Sequence, residues 1–480
     1  MLCASIGLRD PVDALRVLRR LPPQAHFVEI RLDRLDDPSP EPFCQNAVDR
    51  LIFTCRRKSD GGEFSGNEAV RLGLLRRARA AGAGFIDLEM DVDDDEAGSG
   101  KGIIRSYHDM TGMPSDLAGL IGALQDRRGE VVKLAVTPHR YADALRILTF
   151  DRAPRKKIAL MAMGPFSLCT RVLSESAGNF LTYCAAAADS PTAPGQPTLD
   201  EMLHLYRVPD LGRRPRVFGL LGTGISHSLS PRLHNGWFKR RREPCVYLPF
   251  DTKGIDDFLA LSLSLPMAGW SVTAPFKLEM ARRVDRLAPS ARLAGSVNTV
   301  IAHGRKLIGY NTDIRALIHL LNETGGNPAF RIRRTTSGIV YRGRVLIIGA
   351  GGTAIAVCRA LRQHGADVVM TARRLERRNV AQEIGVEFIP WNRRIQADAG
   401  VIINATPIGH AGWRGLPYPG SRLFSGHIII DFPYGDGDTD FVRAGRKAGC
   451  RIIDGKRLLL EQARLQRKLF AQAKQAVRLS

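Results

Sequence analysis

No CxxC pair occurs in the 480 residues, and the eight cysteines (3, 44, 55, 169, 184, 245, 358 and 450) are scattered, most of them within apolar runs. That argues against a disulfide framework or a zinc site and predicts reduced, packed thiols. No apolar stretch is long and uninterrupted enough to span a bilayer; the best candidate, RVLIIGAGGTAIAVCRAL, is broken by glycines and arginines. The first residues, MLCASIGLRD, lack the basic region and apolar block of a secretory signal, which predicts a cytoplasmic chain with no membrane partner. Aromatic RNA-binding patterns and zinc-finger spacings are also missing. The formal net charge of +22 is spread along the chain, so it predicts a solvated basic surface that attracts anionic metabolites, with no nucleic-acid partner.

The length exceeds what one core supports and predicts two or three domains. Residues 1–207 alternate short apolar runs with amphipathic, arginine-rich stretches. The runs lie at 2–8, 26–33, 50–56, 84–90, 102–109, 131–138, 157–164 and 179–186. Eight strands separated by helical periodicity in this length predict an α/β fold that begins with a compact (β/α)8 TIM barrel. Reactive groups in that fold stand at the C-terminal strand ends, and Glu29, Arg31, Arg56, Glu89, His108 and Lys133 collect there.

A Pro/Gly/Arg-rich stretch, VPDLGRRPR, predicts a linker at 208–216, and NETGGNPAFRIRRTTSG predicts a second break at 322–338. RGRVLIIGAGGTA follows, a strand and then G-x-G-x-x-A at Gly349, Gly351 and Ala354, with a helix after it. Glycines there let the backbone approach a pyrophosphate at the helix N-terminus. The next strand, DVVMTARR, ends in Arg373 and Arg374, where NAD enzymes carry an acidic residue. Two arginines suit a 2′-phosphate and predict NADP.

Lys133 sits in the middle of VVKLAVTP, an apolar, β-branched run. A buried ammonium without a partner is costly, which leaves two readings: a side chain that snorkels to water, or a partly neutral amine that forms a Schiff base with a carbonyl substrate. His108 in SYHD falls on the neighbouring expected strand. An iminium on Lys133 would acidify the adjacent carbon, and histidine has the pKa to take that proton. Iminium formation followed by β-elimination is a dehydration.

Over about residues 1–205 the chain resembles type I 3-dehydroquinate dehydratase, in VEIRLD, FTCRRKSDGGE, DLEM, SYHD, VVKLAV, the stretch from MG to Arg171, and APGQ. The resemblance implies Lys133 as the Schiff-base lysine and His108 as general acid/base. It also implies Glu29, Arg31, Arg56, Arg171 and Gln196 as substrate ligands, with Thr192 where the family has serine. Asp60 stands where the family has a glutamate that orients the histidine, and its shorter side chain is expected to reach the ring only through water or a shifted backbone.

Downstream, GTGISHSLSPRLHN places Ser228 and Ser230 two apart, either to grip a carboxylate or to cap a helix. SVTAPFK carries Thr273 and Lys277, SVNTV carries Asn298, and GYNTD carries Asp313. From about 216 to 480 the chain resembles shikimate dehydrogenase, with INATPIG, DFPYGDGDT and DGKRLLLEQ as further matches. The resemblance implies Lys277 and Asp313 as the catalytic pair, and Ser228, Ser230, Thr273, Asn298 and Gln462 as substrate ligands. It implies Gly349, Ala350, Gly351, Gly352, Thr353, Ala354, Arg373, Arg374, Thr406 and Gly455 as the NADP(H) site. The expected domains are the barrel (1–207), a substrate-binding domain (216–320) to which a C-terminal helix (456–480) returns, and a Rossmann NADP domain (340–455). Together the resemblances imply a lyase and an oxidoreductase acting in turn on the small anions 3-dehydroquinate, 3-dehydroshikimate and shikimate. A sensor built from the same domains, a class I aldolase barrel, or a quinate/shikimate dehydrogenase using NAD in the second half are the rivals.

Overall fold

The eight apolar runs of the first half fold as β1 (Leu2–Ile6), β2 (Ala25–Arg31), β3 (Leu51–Thr54), β4 (Phe85–Glu89), β5 (Ile103–Asp109), β6 (Val131–Val136), β7 (Lys157–Ala162) and β8 (Thr182–Ala185). The computed structural model describes residues 1–473 apart from 46–47, 152–154, 266, 305, 337, 410–411 and 436. The strands form one sheet in the order β7-β6-β5-β4-β3-β2-β1-β8, a nearly closed barrel. At the seam a side chain completes the ladder: Asn179 accepts from the Leu160 N–H at 3.0 Å and donates to the Leu160 carbonyl at 2.9 Å.

The two-residue period of a strand sorts the side chains. On β6, Val131 and Ala135 join the inner core, and Lys133 shares their side. Val132, Leu134 and Val136 pack outward with Leu117, Ile121 and Leu124 of the helix Leu117–Asp126. Near the N-terminal strand ends the rings of Phe27, Phe85 and Phe180 pack with 5.7 Å between neighbouring centroids. Apolar filling below leaves the C-terminal ends for polar groups.

In the second half, β9 (Arg216–Gly222), β10 (Cys245–Asp251), β11 (Met267–Val272), β12 (Arg286–Leu287), β13 (Thr299–His303) and β14 (Lys306–Tyr310) form a sheet ordered β10-β9-β11-β13-β14-β12. A last sheet contains β15 (Phe330–Thr335), β16 (Gly338–Ile348), β17 (Asp367–Thr371), β18 (Glu387–Phe388), β19 (Val401–Asn404), β20 (Ile428–Asp431) and β21 (Arg451–Ile453). Its parallel core runs β18-β17-β16-β19-β20-β21, the doubly wound order of a dinucleotide fold, and buries Val345, Ile347, Ile403 and Ile430 completely. The stretch expected as a break at 322–338 is structured: the helix Thr312–Glu323 runs into it, and β15 pairs with the first half of β16 as an antiparallel hairpin from Phe330↔Gly343 to Thr335↔Gly338.

The chain packs as two compact units, one of residues 1–220 with 224–267 and one of 221–223 with 268–476. The helix Gly455–Gln472 packs against the helix Thr312–Glu323 and β13. Residues 474–480 of the expected final helix lie outside the described residues.

Candidate active sites

Strand register brings the barrel's reactive groups together. Lys133 pairs with Ser106 across β5 and β6, and His108 pairs with Ala135. The Lys133 ammonium lies 2.9 Å from Asp87 Oδ2, 3.1 Å from Glu29 Oε1 and 4.1 Å from the centroid of the Tyr183 ring. The apolar surroundings suggested by the run VVKLAVTP are therefore corrected. The side chain is buried, yet its nearest polar neighbours are two carboxylates.

A second cation holds the same carboxylates. Arg56 reaches Asp87 Oδ2 and Glu89 Oε1, both at 2.8 Å, while Arg71 takes the other oxygen of Glu89 at 2.7 Å. Burial alone would push Asp87 up, but Arg56 and Lys133 beside it hold its carboxyl far below the usual range. In Glu29, too, Lys133, Arg31 and a 2.7 Å hydrogen bond from Ser5 outweigh burial and lower the pKa.

His108 Nδ1 is buried and has no hydrogen-bond partner among the described residues. Burial, then the positive charges of Arg56 and Lys133, push its pKa well below 6.5, so the ring is a neutral base at physiological pH. Among the described residues no hydrogen bond joins Asp60 to the ring. The Asp60 carboxylate accepts from Arg57 Nε at 2.8 Å and Ser59 Oγ at 2.9 Å, and Arg57 is gripped in turn by Asp91.

Arg171 completes the pocket. Its guanidinium is buried, donates to the Tyr183 carbonyl at 2.9 Å, and leaves Nε unpartnered. Burial pulls its pKa down to about 10. A cation so placed awaits an anion. Arg31, by contrast, is already forked onto Asp33 at 2.9 and 2.7 Å. Gln196 Oε1 accepts from the Thr192 N–H at 2.8 Å and from its hydroxyl at 3.1 Å, tying the APGQ loop to itself. Glu29, Arg31, Arg56, Asp60, His108, Lys133, Arg171, Thr192 and Gln196 all line this one pocket.

The second constellation is built on helix starts. Asn311 caps the helix Thr312–Glu323, placing Asp313 in its first turn. Asp313 Oδ2 meets Lys277 Nζ at 2.7 Å and Oδ1 accepts from Asn298 Nδ2 at 2.7 Å. Asn298 is thereby a spacer as well as a candidate ligand; its oxygen accepts from the Thr299 hydroxyl at 2.9 Å and the Thr312 N–H at 2.8 Å. Thr273 follows β11 directly, with its N–H on the Leu221 carbonyl. On the loop before the helix Ser230–Arg241, whose N-cap is Leu229, Ser228 Oγ accepts from the Ser230 N–H at 3.2 Å and tightens the turn into the helix. Gln462 is partly buried; one turn later the buried Gln466 donates to Thr299 Oγ1 at 3.0 Å.

The nucleotide loop passes a fit test for a dinucleotide. Gly349 has φ +125°, and a Cβ there would strike the Ala405 carbonyl at 2.8 Å and the Thr406 methyl at 3.2 Å. Gly351 caps the helix Gly352–Gln363 with no side-chain acceptor for its first N–H groups, and a Cβ on Gly351 would meet nothing within 4 Å. That is open space at a positive helix end, suited to a pyrophosphate. Ala350 and Thr353 flank these glycines, and Ala354 is fully buried where the helix meets the sheet. Gly455 tolerates no side chain, since a Cβ would lie 2.3 Å from the Pro433 carbonyl. Arg373 and Arg374 are exposed just past β17, with the Arg373 guanidinium 5.5 Å from the Trp391 ring. Leu278, beside Lys277, lies 3.7 Å from where a Cβ of Gly352 would stand, so the helix that begins at Lys277 abuts the glycine loop.

Residues 2–212 match the family of type I 3-dehydroquinases, and residues 220–300 match the shikimate dehydrogenase substrate binding domain. The chain is 30% identical over 469 residues to the chloroplastic bifunctional 3-dehydroquinate dehydratase/shikimate dehydrogenase of Arabidopsis thaliana, covering 93% of this chain and 77% of that one. This chain belongs to the bifunctional 3-dehydroquinate dehydratase/shikimate dehydrogenase family. A shikimate biosynthesis protein AroDE of Chlamydia pneumoniae is 28% identical, over 77% of this chain and 73% of its own. The NADP(+) shikimate dehydrogenase of Acidiphilium cryptum is 35% identical, over 53% of this chain and 89% of its own. As a dehydratase/dehydrogenase of this family, the chain combines a lyase barrel with an NADP-dependent oxidoreductase.

Sequence reasoning did not assign Asp87, Asp33, Tyr183, Gln466 or Trp391. Asp87 carried a signal: with Glu89 it alternates inside an otherwise apolar strand, so both carboxylates face the barrel interior. Gln466 lies four residues after Gln462, on the same helix face.

Proposed function

We propose that the barrel dehydrates 3-dehydroquinate through an imine on Lys133, and that the second half reduces the resulting 3-dehydroshikimate to shikimate with NADPH. The observation that carries the first reaction is a buried amine in one pocket with a neutral, unpartnered imidazole and a buried guanidinium lacking a carboxylate.

The substrate carboxylate would pair with Arg171, whose Nε is unpartnered. Lys133 passes a proton to the neutral His108 and attacks the ketone as the free amine; the carbinolamine hydroxyl takes that proton back from His108 and leaves as water, giving an iminium. His108 then takes the proton of the adjacent carbon; the electron pair moves into the ring as an enamine and pushes out the β-hydroxyl, which collects that proton from His108 and departs as water. Hydrolysis of the imine frees Lys133. Arg56 holds Asp87 and Glu89 in place throughout.

For the second reaction, Gly349, Gly351 and Gly352 would hold the pyrophosphate, with Ala350, Thr353, Ala354, Thr406 and Gly455 shaping the site and Arg373 and Arg374 on the 2′-phosphate. NADPH bound there supplies hydride to the ketone. Lys277 would give the proton that the developing alkoxide needs and regain one from water, with the Asp313 carboxylate holding the ammonium in place. Ser228, Ser230, Thr273, Asn298 and Gln462 would fix the carboxylate and hydroxyls. Free cysteines throughout the described residues support a reducing, cytoplasmic setting, and among those residues no helix is long and apolar enough to cross a membrane. The barrel pocket, lined by Arg31, Arg56, Lys133 and Arg171, supports a small anion as partner.

Sodium borohydride added with 3-dehydroquinate should leave a stable adduct on Lys133, located by peptide mass spectrometry, and Lys133→Ala should abolish it. Retained dehydratase turnover in Lys133→Ala would refute the assignment.

A further inference from the structure

The helix that follows the lysine strand, Tyr141–Leu148, starts without a side-chain cap of its own. Its first two N–H groups are taken by a residue of the dehydrogenase half. Asp257 Oδ2 accepts from Tyr141 N at 2.7 Å, and Oδ1 accepts from Ala142 N at 2.9 Å. Asp257 lies in the first turn of the helix Ile255–Ser264 and does for the barrel helix what an N-cap aspartate normally does for its own.

Tyr141, thus held, sits between two loops. Its ring is buried and stands edge-on to Phe166 at 4.9 Å and to Phe250 at 5.4 Å. Phe166 precedes Ser167, whose hydroxyl donates to the Gly195 carbonyl of the APGQ loop at 3.0 Å. On the other side the Tyr141 hydroxyl donates to the Asp251 carbonyl at 3.4 Å. The Asp251 carboxylate accepts from the N–H groups of Gly224 and Ile225 at 3.0 and 3.1 Å, fixing the turn that leads to Ser228 and Ser230.

We infer that Tyr141 and Asp257 are positioning residues for the dehydrogenase: the barrel, through them, holds Asp251 and hence the serine loop in its binding conformation. This rests on the reading of Ser228 and Ser230 as substrate ligands. Neither Tyr141 nor Asp257 touches substrate in that reading; both act through Asp251. The packing of aromatic side chains and the directed hydrogen bonds make a contiguous connection of the kind that can carry coupling between loops.

The test uses the full-length enzyme and measures KM for 3-dehydroshikimate, KM for NADPH and kcat. Tyr141→Ala should raise KM for 3-dehydroshikimate about fivefold or more, the lower end of typical coupling between sites, with KM for NADPH and kcat within about twofold. Tyr141→Phe, which keeps the ring against Phe166 and Phe250 but loses the hydrogen bond to the Asp251 carbonyl, should raise that KM by less than Tyr141→Ala does. Asp257→Asn, which presents an amide to one of the two N–H donors, should move KM in the same direction as Tyr141→Ala and serves where the alanine variant fails to fold. Native KM in both Tyr141→Ala and Asp257→Asn, or an equal change in NADPH KM and kcat, would overturn the inference. An unaltered enzyme that fails to oxidise shikimate would instead count against the dehydrogenase reading.

Discussion

Asp313 is held at both oxygens, by Lys277 Nζ at 2.7 Å and by Asn298 Nδ2 at 2.7 Å, so the carboxylate has one orientation before substrate arrives. Asp313→Asn should lower dehydrogenase kcat about 100-fold or more, the range of a lost general acid/base partner. Asn298→Ala, which frees the carboxylate but leaves it present, should cost less. Initial rates of shikimate oxidation check both, and borohydride trapping at Lys133 should be unaffected.

Among the described residues, the buried Arg171 guanidinium finds as acceptors a carbonyl and a thioether. Arg171→Met should lower dehydratase kcat/KM by about 10- to 150-fold, the equivalent of one hydrogen bond to a charged group. The loss should fall mainly on KM, measured by the absorbance of the enone product.

His108 is held neutral by burial and by Arg56 and Lys133, with its pKa depressed from 6.5. A base of depressed pKa stays unprotonated as the medium is acidified, so the acid limb of dehydratase kcat/KM should lie well below pH 6.5. Combining Arg57→Ala with Asp60→Glu should release a longer carboxylate towards the ring. A nearby anion favours the imidazolium, so the acid limb should then move up in pH. A stopped-flow pH profile of both enzymes reads the difference.

Arg373 and Arg374 stand at the end of β17 with no carboxylate partner among the described residues. Replacing both with serine should raise KM for NADPH about 10- to 100-fold and leave KM for NADH unchanged, because only the 2′-phosphate loses its cations. Steady-state titration of each nucleotide distinguishes the two.

Asp431 has a pKa raised to about 6, first by burial, despite hydrogen bonds from Asn404 and Thr439. Its folded value exceeds the unfolded 3.8, so the folded state binds the extra proton between those limits and this group's contribution to stability rises as pH falls from 7 towards 4. Asp431→Asn lacks that titration. The difference in Tm between native and variant should therefore shift in the native enzyme's favour from pH 7 to pH 5, as scanning calorimetry can measure.

Strand periodicity exposed most of the barrel before any coordinates. Runs such as VVKLAV alternate inner and outer positions, and that alternation alone sends Lys133 inward and Leu134 outward. It could not show what meets Lys133 across the barrel, because Glu29 and Asp87 are brought there by closure of the sheet, 104 and 46 residues away in sequence. The apolar neighbours visible along the strand were those of its outer face. Asp60 was legible as a departure from the family pattern, but its capture by Arg57 and Asp91 depends on where β4 ends relative to the loop after β3. The hairpin of β15 and β16 was hidden by composition: glycines and arginines read as a linker, whereas Phe330 and Tyr341 anchor it in the nucleotide-domain core. In the final helix, Gln466 escaped notice because Gln462 carried the family's motif while burial selected the next turn.

The central claim is that one chain performs both reactions in sequence, the first through Lys133. Purified enzyme supplied with 3-dehydroquinate and NADPH should consume NADPH and yield shikimate in equal amounts. The Lys133→Ala variant should do neither with 3-dehydroquinate yet retain full NADPH consumption with 3-dehydroshikimate. NADPH oxidation from 3-dehydroquinate by Lys133→Ala at the native rate, or none by the native enzyme with either compound, would contradict the account.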